Sequence, residues 1–185
     1  MTATNASQPE QARLFTLILL TALSTATLNL FVPSLVNIAE DLQADYNVVS
    51  LSIGVYLAAM TVVQLVVGPL SDKIGRRPVL LGSLVLFTLA SAGCAFATDV
   101  RVFLAFRMLQ SAMVAGYVLS MAMVRDTTNA QNAASRLGYV SMAMAVAPMM
   151  GPVLGGFLDS LYGWRSNFYF LILCGVALFI WCWID

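Results

Sequence analysis

The nine basic and nine acidic residues of this 185-residue chain fall in short clusters that long uncharged runs separate. A helix of about 20 apolar residues crosses the hydrocarbon core of a bilayer, and inside that core every backbone polar group must find a local partner. Six runs meet both conditions, so the sequence predicts an all-α integral membrane protein. The predicted spans are residues 14–36, 48–70, 78–98, 102–124, 137–158 and 167–184.

Composition excludes several other classes of protein. Hydrophobic residues make up 60% of the chain and charged residues only 10%, against about a quarter in soluble domains. The net charge of zero offers no basic surface to nucleic acid. Histidine is absent and the three cysteines lie in apolar runs, so we expect no metal, no cofactor and no enzymatic activity; a histidine-dependent intramembrane protease is excluded for the same reason.

Lysine and arginine accumulate on the cytoplasmic side of membrane proteins. With a cytoplasmic N-terminus, Arg101 and Arg165 lie outside and Arg107 lies within the fourth span. The other six bases are inside, which predicts that both termini are cytoplasmic. Residues 1–13 form a polar cytoplasmic tail without the basic region of a secretory signal, and residues 14–184 form the bundle. The six inside bases are Arg13, Lys73, Arg76, Arg77, Arg125 and Arg136.

The six spans divide into two sets of three, separated by a short turn at residues 98–101. Three plus three helices is the arrangement that an inverted repeat produces. The chain stops after the sixth span, so we expect it to be half of a larger bundle or a chain that must pair.

A dense polar motif joins the second and third spans, and it predicts a short cytoplasmic hairpin. We expect Gly68 to allow a neighbouring helix to approach closely and Gly75 to adopt a positive φ. The Asp72 carboxylate can cap an opposing helix or pair with Arg76. The alternative is that the motif only sets topology. Its defining residues are Gly68, Leu70, Asp72, Lys73, Gly75, Arg76 and Arg77.

The fourth span contains one permanent charge, Arg107, which costs at least ~2.5–3.5 kcal/mol in hydrocarbon. Gln110 and Ser111 lie three and four residues further on, on the same helical face, and could share its hydrogen bonds. Arg107 therefore either extends to the nearer interface or lies on a polar face that lines a water-filled cavity.

Small residues recur every four positions in the fifth span: Ala143, Ala147, Gly151 and Gly155. This spacing forms a flat stripe against which another helix packs closely. Pro148, Pro152 and Gly156 interrupt the same segment. The alternative is a generic packing stripe without a special function.

These three motifs resemble those of the major facilitator superfamily. The hairpin matches its signature G-x-L-x-D-(R/K)-x-G-(R/K)-(R/K) at every position. Arg107 and Gln110 match R-x-x-Q-G, with Ser111 in place of glycine. The fifth span is similar to the antiporter motif G-x-x-x-G-P-x-x-G-G at Gly151, Pro152, Gly155 and Gly156, with Ala147 in place of the first glycine.

The resemblance extends over residues 14–184 and is strongest to the bicyclomycin/chloramphenicol-resistance branch of multidrug:proton antiporters. It implies that this chain is the N-terminal six-helix half of a twelve-helix transporter. It also implies a gating role for Asp72 and a coupling role for Arg107. The implied function is efflux of small, lipophilic molecules across the inner membrane in exchange for protons, by alternating access; the implied partners are a C-terminal six-helix half or a second copy.

Two alternatives remain open: transport of another small solute, or a truncated module that does not transport alone. None of the nine acids lies inside a predicted span, and Asn29 stands where that branch often has an acid. Proton coupling therefore depends on the resemblance. The remaining polar candidates for a cavity are Asn29, Tyr56, Gln64 and Tyr117.

Overall fold

The computed structural model describes residues 8–127 and 130–184, with side chains for residues 14–125 and 135–184. All regular structure in these ranges is helical, and six segments are long and apolar enough to cross a membrane. The predicted fold class and the six predicted spans are therefore confirmed. The eight α-helices are α1 (Gln8–Asn29), α2 (Leu35–Asp41), α3 (Tyr46–Ile74), α4 (Arg76–Ala95), α5 (Val100–Gln110), α6 (Val114–Thr127), α7 (Ala130–Tyr162) and α8 (Arg165–Ile184).

The first span is not the continuous helix that the sequence predicts. It consists of α1 and α2, joined by a 3-10 turn at Val32–Ser34 that contains Pro33. Proline has no N–H to donate and disfavours helical geometry in the residue before it, which explains why α1 ends at Asn29. Helix α1 begins at Gln8, six residues before the predicted start of the first span at residue 14, where the apolar candidate span also starts; residues 1–7 lie outside the described residues.

The fourth span is broken as well, although it contains no proline. A 3-10 turn at Ser111–Met113 separates α5 from α6. The Ser111 hydroxyl donates to the Met108 carbonyl oxygen at 2.6 Å, a local bond that competes with regular helix geometry. The first span of each three-helix set is therefore the broken one, whereas α7 continues through Pro148 and Pro152.

The packing of the spans is symmetric under exchange of the two sets. The second span of each set packs on the first span of the other: α7 on α1, and α3 on α5 and α6. The third spans, α4 and α8, pack on each other. This is the arrangement that the predicted 3+3 repeat requires.

The link between the second and third spans is shorter than the predicted hairpin. Helix α3 extends to Ile74 and α4 begins at Arg76, so the loop is the single residue Gly75, whose φ is +96°. Asp72 therefore lies in the last turn of α3, not in a loop. A Cβ built on Gly68 has no atom of another helix within 4 Å, so the predicted close approach does not occur within the described chain.

Arg165 at the start of α8 connects three elements at one end of the bundle. Its Nε donates to the Ala95 carbonyl oxygen at 3.1 Å and its Nη2 donates to that of Ala97 at 3.2 Å. Its Nη1 lies 2.5 Å from an Asp41 carboxylate oxygen, and its guanidinium stacks 4.3 Å from the centre of the Trp164 ring. One side chain thus joins α2, the end of α4 and α8.

The second and fifth spans are the least covered. Within the most apolar 18-residue stretch of each span, only 17% and 11% of the residues are buried in these two, against 33–56% in the other four. These two exposed faces consist of large apolar side chains, among them Leu57, Val62, Leu65 and Val66 on α3 and Met142, Val146, Met149, Val153 and Phe157 on α7.

Candidate functional site

Arg107 is completely buried, and it is the largest side chain of which that is true in the described part of the chain. Its guanidinium lies among α1, α3 and α5. Extension to the interface is therefore wrong as an explanation of this charge. The chain's own helices enclose the side chain on all sides.

Hydrogen bonds connect Arg107 to two other spans. Its Nη1 donates to the Gln110 Oε1 and, at 3.4 Å, to the Thr27 carbonyl oxygen of α1. The Gln110 Nε2 donates to the Ser91 Oγ of α4 at 2.8 Å, and the Ser91 hydroxyl donates to the Phe87 carbonyl oxygen at 2.8 Å. Gln110 thus connects Arg107 to α4 through two consecutive hydrogen bonds.

Two aromatic rings cover the guanidinium. Its Cζ lies 3.9 Å from the centre of the Phe31 ring and 4.7 Å from that of Tyr56. A cation over an aromatic face is stabilised by ~0.5–2 kcal/mol, more when it is shielded from water. The Nε and Nη2 of Arg107 have no hydrogen-bond partner among the described residues, so this site retains two donors for a further acceptor.

The structure brings together only some of the predicted polar residues. The Tyr56 ring packs against the guanidinium of Arg107, and the Gln110 side chain accepts a hydrogen bond from it. Ser111 instead donates to its own helix. Gln64 lies about 12 Å along α3 from Tyr56 and Tyr117 about 15 Å along the span from Arg107, at 1.5 Å per residue; both are half-buried.

Asn29 lies at a different place, where α7 touches α1. A Cβ built on Gly151 would lie 3.0 Å from the Asn29 Cβ, and one built on Gly155 would overlap the Leu30 carbonyl oxygen. Asn29 donates its own amide to the Thr25 carbonyl oxygen at 2.9 Å. The Gly151 and Gly155 positions of the predicted small-residue stripe therefore lie where α7 contacts the end of the first helix.

The predicted fifth span ends at residue 158, but its helix continues to Tyr162 and so includes Asp159. Asp159 accepts from the Asn37 amide through its Oδ2 at 2.7 Å. Its Oδ1 is buried and has no hydrogen-bond partner among the described residues.

Three contributors to the Arg107 site were also missed. Thr27 contributes only its backbone carbonyl, Phe31 is one of ten phenylalanines, and Ser91 lies in an ordinary apolar run. None has a local sequence pattern that distinguishes it, so only the packing of α1, α4 and α5 identifies them.

The hairpin motif lies at one end of α3 and α4. Leu70, Asp72, Lys73 and Gly75 are exposed, and Arg76 is half-buried. The Arg77 Nη2 donates to the Trp183 carbonyl oxygen at 2.7 Å, which joins the start of α4 to the end of α8. The motif thus presents a carboxylate and bases on the surface beside the exposed face of α3.

Six apolar spans that enclose a buried polar network define a helical integral membrane protein. The family model described as Major Facilitator Superfamily matches residues 14–185. The chain belongs to the major facilitator superfamily, as the three motifs predicted.

Its curated relatives include transporters named for drug resistance. It is 36% identical over 89% of its length to an uncharacterized MFS-type transporter, YdgK, of Bacillus subtilis. It is 30% identical over 90% of its length to multidrug resistance protein D of Escherichia coli, and 33% identical over 84% to a chloramphenicol resistance protein of Pseudomonas aeruginosa. The chain spans 42%, 43% and 38%, respectively, of the length of these relatives.

The fold is shared with a solved transporter structure. The proton:xylose symporter XylE matches 95% of this chain with a TM-score of 0.83, and this chain covers 44% of the symporter. The sequence identity is 14%, so the match establishes the shared fold and says nothing of the substrate.

Proposed function

We propose that this chain is the N-terminal six-helix half of a secondary transporter that exports small, lipophilic molecules across the inner membrane in exchange for protons, by alternating access. The observation that carries the proposal is the contact of α7 with α1. The residues that match the antiporter motif, Gly151 and Gly155, are those at which the two helices touch. The relatives named for drug resistance support the substrate class.

In this proposal Arg107 couples the binding of protons or substrate to movements of the helices in the bundle. Its contacts with α1 and α3, together with the link through Gln110 to α4, would transmit a change at the guanidinium to three helices. The two unpartnered donors of Arg107 would bind an acceptor from the substrate or from the second half. The exposed faces of α3 and α7 would contact that half, or another copy.

We propose that both termini are cytoplasmic, because this orientation places six bases inside and two outside, in agreement with the positive-inside rule. In a cysteine-free background, Lys73→Cys should react with a membrane-impermeant maleimide only in inside-out vesicles, and Gln43→Cys and Tyr162→Cys only in intact spheroplasts. Lys73 and Gln43 are exposed, and Tyr162 is 76% exposed. Ser71 is unsuitable as a probe because it is buried. Labelling of Lys73→Cys only from outside would reverse the orientation.

Asp72→Asn should lower transport at least several-fold while the protein inserts normally. Asp72 is exposed beside the uncovered face of α3, where its carboxylate would cap a helix of the second half. Initial efflux rate and membrane abundance are measured together. Glu40→Gln, an exposed acid at the opposite end of the bundle, is the control; lost insertion with unchanged specific activity would assign Asp72 to topology alone.

Residues 1–185 expressed alone should not reduce ethidium accumulation in cells that lack their own efflux pumps. One wall of the transport path is then missing, because α3 and α7 expose their apolar faces. Co-expression with the part of YdgK that lies outside its match to this chain should lower accumulation. Reduced accumulation by residues 1–185 alone, abolished by Arg107→Ala, would instead show that this chain transports as an oligomer.

A further inference from the structure

A cavity of about 400 Å³ lies between α1, α7 and α8, away from the Arg107 site. It contacts α1 along a stripe of residues spaced three and four apart, from Leu19 to Leu30. Thr27, which contacts Arg107, lies on a neighbouring face of the same helix, and Phe31 lies in the turn that follows it. The cavity is therefore a second site. It uses the same helix α1 as the Arg107 network, but its lining is apolar.

The cavity has no group that could hold water or a polar ligand. All its lining side chains are apolar, and Met150 and Cys174 contribute only sulfur. The one N–H of a lining side chain belongs to Trp181, which already donates to the Thr16 Oγ1 at 2.9 Å. A buried water needs two to four polar partners, so this space favours hydrocarbon.

Depth and exposure indicate where that hydrocarbon comes from. Leu19 and Leu30 are eleven residues apart, or about 16 Å along the helix, which is close to half of the ~30 Å hydrocarbon core. On the side of α7 and α8, the lining residues Met150, Leu154, Phe170 and Trp181 are 37–49% exposed. All four lie within apolar candidate spans, so this side of the cavity borders the surface that faces hydrocarbon.

We propose that this cavity binds one acyl chain of a membrane lipid, which enters between α7 and α8 and packs against α1. Its lining extends about 16 Å along α1, a length that suits an extended chain. The chain would fill the space beside the Ala147–Gly151 part of the stripe and support the α1–α7 contact from the lipid side. This inference does not depend on what the protein transports.

The test reconstitutes the full chain in vesicles that contain a phosphatidylethanolamine with a diazirine at the middle of one acyl chain. After irradiation, peptide mass spectrometry maps the adducts. Yield per residue should be at least fivefold higher on the cavity positions of α1, α7 and α8 than on Val62, Leu65 and Val66, which are equally apolar and 53–74% exposed on α3. Equal yields on the two surfaces would overturn the proposal.

Cavity filling provides the matched comparison. Ala22→Leu and Ala177→Leu place larger side chains in the cavity and should each reduce cavity adducts at least fivefold without changing those on α3. Ala58→Leu, exposed on α3, should change neither. Thermal unfolding of each variant verifies folding, and the two independent fillings guard against the failure of one.

Two further arms separate the possible occupants. A diazirine fatty acid that labels the cavity where the phospholipid does not would assign the site to free fatty acids and overturn the phospholipid source. Displacement of the lipid adducts by excess ethidium would show that a transported molecule, not a lipid chain, occupies the cavity. Absence of cavity adducts would likewise overturn the proposal.

Discussion

Arg107→Lys is expected to reduce the initial efflux rate at least tenfold in a chain supplied with its second half, while membrane insertion stays normal. The guanidinium of Arg107 lies against two rings and donates to Gln110 and Thr27 at the same time. An ammonium is a compact point charge that cannot reproduce this planar set of contacts. The charge would remain buried but would lose its link through Gln110 to Ser91.

The control is Arg101→Lys, an exposed arginine on the same helix, which should leave efflux unchanged. Transport is measured as ethidium efflux from preloaded vesicles, and folding by size-exclusion chromatography in detergent. Full activity of Arg107→Lys would show that only the positive charge matters. A variant that aggregates would assign Arg107 to stability, and Arg107→Met, which removes the buried charge, should then recover folding without transport.

Gly155→Ala is expected to lower the thermal unfolding temperature by several degrees. A Cβ at this position would overlap the Leu30 carbonyl oxygen, which belongs to the backbone and cannot rotate away. Helices α1 and α7 must therefore separate, at a cost typical of overpacking, ~1–3 kcal/mol or more. The added methyl group would also weaken the contact that the antiporter motif makes.

Gly138→Ala is the matched control on the same helix. A Cβ built on Gly138 has nothing within 4 Å, so the substitution should raise stability by up to ~0.5–1 kcal/mol through the better helix propensity of alanine. The two substitutions are chemically identical and should have opposite signs. A stabilising Gly155→Ala would mean that α1 and α7 are further apart than the structure has them.

The sequence predicted what depends on local spacing. Six long apolar runs predicted six spans, and the i, i+3 spacing of Arg107 and Gln110 predicted that the two side chains are in contact. Small residues at intervals of four marked the face of α7 that packs closely. Each of these follows from the period of a single helix, so no knowledge of the tertiary structure was necessary.

What the sequence did not predict depends on distant residues. The carbonyl of Thr27 lies 80 residues from Arg107 along the chain, and nothing in a threonine predicts that its backbone will accept from a guanidinium. Helix propensity did not predict the break at Ser111, which a side-chain hydrogen bond accompanies. The acyl-chain cavity combines residues from three helices and has no motif at all.

The partners of Arg107 have a consequence for how the protein is made. Thr27, Phe31, Tyr56 and Ser91 all precede Arg107 in the chain, and Gln110 follows it by three residues. During synthesis the ribosome therefore delivers the arginine after the first three spans, which already carry the groups that will surround it. The fourth span can leave the translocon directly against these helices, and its charge need not enter lipid unaccompanied.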